Sequence, residues 1–149
     1  MTDVVELLQS GNPVDIQPQG ASMYPLLLDR RGDRLTVVPI EQYGGIETLK
    51  KGDILLYRSE LFNGLTVHRL IKKKDDGLFL CGDNQQKIEG PVAFSNVYGV
   101  VIEIQRKGKT FPVTNLSYRF YSEIWTHTIW FRRIFRPVVT KIHMAFKKK

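Results

Sequence analysis

The sequence contains a single cysteine and no long apolar run, and both absences exclude broad classes of protein. One cysteine, Cys81, cannot form a disulfide within the chain, and this usage is typical of a reducing compartment. No window approaches the roughly 18 consecutive apolar residues of a membrane-spanning helix. The first residues, MTDVVELLQSGNP, lack the basic region and long apolar core of a secretory signal. We therefore expect a cytoplasmic protein.

Motifs for the common cofactors are also missing. The chain has no glycine-rich phosphate loop and no dinucleotide-binding fingerprint. Its three histidines and one cysteine show no spacing typical of a zinc site. We therefore expect no metal and no cofactor, so any catalysis must come from ordinary side chains.

Acidic residues are nearly absent from the end of the chain. Residues 1–115 contain 14 Lys or Arg and 14 Asp or Glu, whereas residues 116–149 contain 8 and 1 and so carry the whole net charge of +7. The same 34 residues hold 8 of the 16 aromatic residues, including both tryptophans. We predict two parts: a neutral domain over residues 1–115, and a basic, aromatic tail over residues 116–149.

Short segments rich in β-forming residues fill the first part, separated by turns of Gly, Pro and Asp. The predicted strands include DRLTVVPI, DILLYRS, LTVHRLIKK, LFLCGD and VYGVVIEIQRKG. The DDG between the third and fourth of these predicts a hairpin, and residues 2–10 are expected to form a short helix. The fold class is therefore mainly β, with a coiled antiparallel sheet or partly closed barrel.

The apolar period changes to that of a helix between Tyr118 and Arg136. One predicted face carries Phe120, Ile124, Phe131 and Phe135, and the other carries Ser122, Thr126, Arg132, Arg133 and Arg136. The apolar face packs on the β domain, or the tail docks on an anionic membrane through Trp125, Trp130 and its arginines. Both can hold if only the tryptophans and the basic residues reach lipid. Nucleic acid fits the same composition but is not the partner we expect.

Ser22 lies in the stretch GASMYPLL, with small residues before it and a proline after it. Small neighbours leave room for a substrate backbone, but a serine hydroxyl needs a base to become a nucleophile. His68, in TVHRLI, has the chemistry of such a base. A carboxylate that orients its imidazole would come from Asp83 or Glu89, in CGDNQQKIEG. Taken singly, each piece also has an ordinary structural explanation, as a turn serine, a strand histidine or a turn aspartate.

Four boxes in this order resemble those of the signal peptidase I family, in its endoplasmic-reticulum and archaeal-like branch. They are G-x-S-M-x-P, G-D followed by apolar residues, H-R and G-D-N. In this chain they read Gly20-Ala21-Ser22-Met23-Tyr24-Pro25, Gly52-Asp53-Ile54-Leu55, His68-Arg69 and Gly82-Asp83-Asn84. The resemblance covers about residues 13–104 and is to a small, bacterial-type member without an N-terminal anchor. It implies the coiled antiparallel sheet of that family.

The resemblance also implies an activity, that of a serine endopeptidase cleaving a leader or signal-like peptide after small residues. Ser22 would be the acylated nucleophile, and His68 the base in place of the lysine of bacterial members. The Ser22 backbone N–H would hold part of the oxyanion. The substrate and oxyanion region would comprise Gly20, Ala21, Met23 and Pro25. The acid stays open between Asp83 and Glu89, because Glu89 occupies the position of a second aspartate in the family.

A function of another class also fits the composition. The chain could be a non-catalytic binding module on the same fold, with the tail binding an anionic membrane or nucleic acid. The expected partners are thus a peptide or preprotein substrate and an anionic membrane surface. If the tail docks, the protein would lie peripherally on the inner face of the membrane.

Overall fold

The structure of the protein, a computed structural model, describes residues 2–132 and 134. Within these residues eight strands form one antiparallel sheet that is flanked by three α-helices. The strands are β1 (Val14–Ile16), β2 (Arg34–Pro39), β3 (Ile54–Ser59), β4 (Gly64–Lys74), β5 (Gly77–Cys81), β6 (Glu89–Val92), β7 (Val97–Arg106) and β8 (Lys109–Pro112). The helices are α1 (Thr2–Gln9), α2 (Ile40–Tyr43) and α3 (Leu116–His127).

The sheet is open. Its strand order is β1-β2-β7-β3-β4-β5-β6, and β8 pairs with β7. The two end strands, β1 and β6, are only three and four residues long, and each pairs with a single neighbour in the sheet. The expected mainly β, antiparallel class is therefore confirmed, whereas the sheet does not close into a barrel.

Most of the predicted elements form, with two additions. The DDG turn joins β4 to β5 as expected, with Lys74 paired to Gly77. The sequence did not predict β6, because Gly90 and Pro91 inside it are residues that strands usually avoid. It did not predict the single helical turn of α2 either.

Both faces of the sheet are buried, and β3 contributes to each. Ile54 and Leu56 pack in one apolar cluster, while Leu55 and Tyr57 pack in the other, as the two-residue period of a strand requires. The first cluster includes residues of α1 and α3, and the second includes a residue of α2. Because both faces are covered, DILLYRS reads as a continuous apolar run rather than an alternating one.

α3 begins immediately after Asn115, whose side chain caps it. The Asn115 Oδ1 accepts hydrogen bonds from the N–H groups of Ser117 and Tyr118, at 3.0 and 3.3 Å, as a good N-cap residue does. After Thr128 the chain is helical again over residues 129–132. In the part of the chain that the structure describes, no helix combines the length and apolarity needed to cross a bilayer.

The orientation of α3 is the reverse of the packing that its pattern suggests. Ser122 and Thr126 are buried against the sheet, whereas Phe120, Ile124 and Phe131 are 70%, 46% and 58% exposed. The alternative in which these apolar residues pack on the β domain is therefore wrong for the three that the structure describes; Phe135 lies outside the described residues.

The cause of the reversal is a buried cation in the sheet. The guanidinium of Arg69 donates to Ser122 Oγ at 2.7 Å and to the Tyr118 hydroxyl at 3.2 Å. A buried cation needs oxygen partners, so the hydroxyl-bearing face of α3 packs inward. At Gly52 an added Cβ would lie 3.0 Å from Ser122 Oγ and the backbone has φ +99°, so a glycine here lets the helix approach closely.

Candidate active site

Ser22 and His68 line the same cavity, which has a volume of about 360 Å³. The cavity is lined in part by residues 17–20, which follow β1. Its wall is largely apolar and includes Ile16, Met23, Leu27, Leu56, Leu65 and Val67. The structure therefore brings together the two residues that the sequence predicted as nucleophile and base.

The residues predicted around Ser22 divide between this cavity and its surroundings. Gly20 and Met23 line the cavity, while Ala21 is exposed beside it. Pro25 instead lines a separate groove, together with Arg106. Only part of the predicted substrate region therefore faces Ser22.

The turn at residues 82–84 fixes the backbone of the serine loop. The Asn84 N–H donates to the Ser22 carbonyl at 2.8 Å, and its side-chain amide donates to the Ala21 carbonyl at 3.0 Å. An added Cβ on Gly82 would lie 2.5 Å from the Ser22 carbonyl oxygen, so this close approach requires glycine. The G-D-N box thus has a direct structural role in placing Ser22.

Ser22 and His68, which both line the cavity, have polar atoms with unused hydrogen-bonding capacity. Among the described residues, no hydrogen bond engages the Oγ or the backbone N–H of Ser22, and His68 Nε2 is buried without a partner. Ser22 and His68 are therefore not hydrogen-bonded to each other. Such a bond is often long or absent in a serine hydrolase without substrate and tightens when substrate binds.

His68 lies in a tight, mostly apolar environment. It is 1% exposed, its Nδ1 lies 2.9 Å from the Tyr57 hydroxyl, and the Phe62 ring meets it edge-on at 5.4 Å between centroids. Burial lowers the pKa of His68 from its usual value of 6.5 to about 4, against the raising effect of the Glu89 and Asp83 charges. The imidazole is therefore neutral near pH 7 and able to accept a proton.

Glu89 is connected to His68 through Tyr57. Its carboxylate accepts from the Tyr57 hydroxyl at 2.7 Å, from Ser59 Oγ at 2.8 Å and from the Leu61 N–H at 3.2 Å. Burial acts to raise the pKa of Glu89, but the hydrogen bonds from Tyr57 and Ser59 hold it below its usual value. Glu89 is therefore ionised near pH 7.

Asp83 has a different partner. Its two carboxylate oxygens form a buried, bidentate ion pair with Arg69 at 2.7 and 2.8 Å, and one also accepts from the Tyr121 hydroxyl at 3.2 Å. Although burial acts to lower the pKa of Arg69, the bonds to Asp83 raise it. Of the two carboxylates left open by the sequence, Glu89 is thus the one hydrogen-bonded into the surroundings of His68.

Two of the residues predicted to bind membrane instead face the protein. The Trp125 indole N–H donates to the Asp83 carbonyl at 3.1 Å, the Arg132 guanidinium donates to the same carbonyl, and that guanidinium lies 4.1 Å from the Trp125 ring centroid. They turn inward because the Asp83 carbonyl needs donors at this point of the interface. Trp130 is 66% exposed, and Arg133 and Arg136 lie outside the described residues.

Sequence patterns did not indicate three residues around His68, namely Tyr57, Ser59 and Phe62. Their contacts depend on strand register: His68 pairs with Leu55, which places Tyr57 diagonally opposite on the same face. A strand pattern identifies buried positions but not the register that joins two strands.

We predict that Glu89→Gln lowers the pKa of His68 below its wild-type value of about 4. The carboxylate charge of Glu89 favours the imidazolium, and the substitution removes that charge at nearly constant shape. The measurement is an NMR titration of the His68 imidazole. Asp75→Asn, at the exposed tip of the β4–β5 hairpin, is the matched control and should leave the titration unchanged. A raised or unchanged pKa in Glu89→Gln would contradict the prediction.

Comparison of the chain with protein-family models, with curated proteins and with solved structures finds no match. The function must therefore be argued from the geometry of this site.

Proposed function

We propose that the protein is a serine endopeptidase of the signal peptidase type, in which Ser22 is the nucleophile and His68 the general base. The observation that carries the proposal is the shared cavity, which both Ser22 and His68 line; His68 Nε2 has no hydrogen-bond partner among the described residues. A hydroxyl and a neutral imidazole in one substrate-sized cavity are what acyl transfer by serine requires.

The proposed reaction uses the groups that the site leaves without partners. Ser22 Oγ attacks the scissile carbonyl carbon while its proton passes to His68 Nε2, and the Ser22 N–H stabilises the oxyanion. His68 then returns the proton to the leaving amine, which gives an acyl-enzyme on Ser22. In the second step, water gives a proton to His68 Nε2 and attacks the acyl carbon. His68 returns that proton to Ser22 Oγ as the new carboxyl terminus of the peptide leaves.

The substrate is proposed to be an extended leader or signal-like peptide with small residues before the cleaved bond. Residues 17–20 follow β1 at the edge of the sheet and line the cavity, so we expect the peptide to lie alongside them. The apolar wall formed by residues such as Leu27 and Val67 suits small, uncharged side chains. The preference for small residues itself rests on the resemblance of the four boxes.

The test is cleavage of a pool of leader peptides with small residues, followed by mass spectrometry. The full chain is incubated with the pool in the presence of liposomes, and intact-protein mass spectra are recorded at early times. The proposal expects new peptide termini after small residues and a transient mass increase on the protein. Mapping of that adduct to Ser22 would support the acyl-enzyme. No cleavage across the pool, or cleavage that persists in Ser22→Ala, would reject the proposal.

A second function, binding to an anionic membrane surface, is favoured by an exposed apolar stripe. Leu116, Phe120 and Ile124 are spaced four residues apart on α3 and so share a face, and they are 80%, 70% and 46% exposed. Trp130 and Phe131 follow and are also exposed. Aliphatic and phenyl side chains in a row fit acyl chains better than bases, which favours lipid over nucleic acid.

Charge supports an anionic lipid as the occupant. Residues 116–149 carry 8 Lys or Arg against 1 Glu, and each basic group near an anionic surface adds attraction. The single acid, Glu123, lies 3.3 Å from His127 in an exposed pair. In this second function the stripe would enter the lipid and the protein would lie peripherally on the inner leaflet. Ser22 would remain outside the lipid.

Replacing Phe120 by Ser is expected to weaken binding to anionic vesicles about 10- to 150-fold, because burial of a phenyl side chain contributes about 1.5–3 kcal/mol. Phe94→Ser is the matched control, since Phe94 is exposed elsewhere on the surface. The measurement is vesicle sedimentation with and without anionic lipid. Equal loss in both variants, or stronger binding to DNA than to vesicles, would reject this function.

A further inference from the structure

We propose that Tyr57 is a positioning residue that holds His68 in the tautomer protonated at Nδ1, so that Nε2 is the nitrogen left to accept a proton. Its role in catalysis rests on the proposed peptidase function. The tautomer itself does not, because it follows from the hydrogen bonds alone.

The number of protons available to Glu89, Tyr57 and His68 determines which group donates in each of their hydrogen bonds. An ionised carboxylate such as Glu89 has only acceptor sites, and a tyrosine hydroxyl has a single proton to donate. The Tyr57 hydroxyl lies 2.7 Å from Glu89 and 2.9 Å from His68 Nδ1. A bond to a charged acceptor is the stronger of the two, so the proton of Tyr57 goes to Glu89. The Tyr57 oxygen can then only accept, and His68 Nδ1 must carry the hydrogen.

The opposite tautomer would place two sets of lone pairs against each other. With the proton on Nε2, the Nδ1 lone pair would face the lone pairs of the Tyr57 oxygen, 2.9 Å away. Nε2 has no partner among the described residues in either tautomer, so the contact at Nδ1 decides between them. A buried polar group without its hydrogen bond is unfavourable, and both Tyr57 and His68 are fully buried. The environment therefore selects one tautomer.

Glu89 is held in the acceptor role by groups that are independent of Tyr57. Ser59 Oγ donates to it, and the Phe62 N–H in turn donates to Ser59 Oγ at 2.9 Å. The charged groups that act on His68 are Glu89 on β6 and Asp83 after β5; Cys81 of β5 is a further titratable group acting on Tyr57. The charge of Asp83 is neutralised by Arg69. The hydrogen bonds through Tyr57 therefore form the direct connection between a carboxylate and His68.

The test is the ¹⁵N spectrum of the His68 ring in the full chain at pH 7, with ¹⁵N-labelled histidine and assignment by His68→Gln. The proposal expects a neutral ring with the hydrogen on Nδ1 in wild type. In Tyr57→Phe, which removes only the hydroxyl, the Nε2–H form should become populated. Tyr43→Phe is the matched control, because Tyr43 donates weakly to the carboxylate of Asp53 instead, and it should leave the tautomer unchanged. Hydrogen on Nε2 in wild type, or an unchanged tautomer in Tyr57→Phe, would overturn the proposal.

A second variant and a cleavage assay distinguish failure of this inference from failure of the proposed peptidase function. If Tyr57→Phe does not fold, Glu89→Gln keeps the phenol and should still populate the second tautomer, since an amide can reverse the donor order. In a cleavage assay Tyr57→Phe should lower kcat about 10- to 100-fold with little change in KM, as weakened general-base catalysis predicts. An unchanged kcat with a changed tautomer would overturn the catalytic role. Absence of all cleavage would reject the peptidase and leave the tautomer to the NMR result.

Discussion

Ser22→Ala and His68→Ala are each expected to lower peptide cleavage by at least about 10³-fold, and the double variant should be no slower than the slower single variant. A nucleophile and its base act as one unit, so loss of either member removes nearly the whole benefit of the pair. The measurement is the cleavage rate of the best peptide from the pool. Both side chains line one cavity, which is why strong non-additivity is expected.

Matched controls come from the same residue types elsewhere on the surface. Ser95→Ala and His127→Ala replace exposed residues that are not among those lining the cavity. Both variants should cleave the peptide at the wild-type rate. Additive losses in the double variant would mean that Ser22 and His68 act independently. A His68→Ala variant with wild-type activity would remove His68 from the mechanism.

Asp83→Asn is expected to lower the free energy of unfolding by about 3–5 kcal/mol, because it leaves the buried Arg69 cation without its counter-charge. Both side chains are about 1% exposed, so water cannot replace the lost carboxylate. Arg69 also holds Ser122 and Tyr118 of α3, so the loss should include loosening of that helix. Urea unfolding followed by circular dichroism measures the change.

Two comparisons decide whether the buried charge is the cause. Glu123→Gln removes an exposed carboxylate that lies 3.3 Å from His127 Nδ1 and should change stability by less than about 1 kcal/mol. Replacing both partners, with Arg69→Met and Asp83→Leu together, should cost less than Asp83→Asn alone, because no unpaired charge remains. A small effect of Asp83→Asn would mean that the pair contributes little to the fold.

The strands and the position of the serine loop were predictable because they depend on local pattern. The apolar segments between Gly, Pro and Asp turns became β2, β3, β4, β5 and β7, and Gly20, Ser22, Met23 and Leu27 of GASMYPLL line the cavity. The closure of the sheet was not predictable in the same way. Closure depends on whether the two end strands pair with each other, and β1 and β6 each pair with a single neighbour instead.

The orientation of α3 shows where periodicity stops being informative. Its pattern separates Phe120 and Ile124 from Ser122 and Thr126, but a period cannot say which face is buried. The usual assumption puts the apolar face inward. Here the sheet presents Arg69 to the helix, and that cation lies far away in the sequence. The choice between Asp83 and Glu89 was open for the same reason, since only strand register shows that Tyr57 joins Glu89 to His68.

The turn at residues 82–84 grips two parts of the molecule at once. Asn84 holds the backbone of Ser22, and the carbonyl of the preceding residue holds Trp125 and Arg132. The contacts of α3 and those of the serine loop therefore meet at the single peptide unit between Asp83 and Asn84. A displacement of α3 at a lipid surface would move the serine loop through that unit. Thermodynamic linkage makes such coupling reciprocal: if lipid contact tightens the hold on peptide, bound peptide tightens the hold on lipid by the same factor. If both proposed functions hold, loss of the product would then weaken membrane binding by that factor.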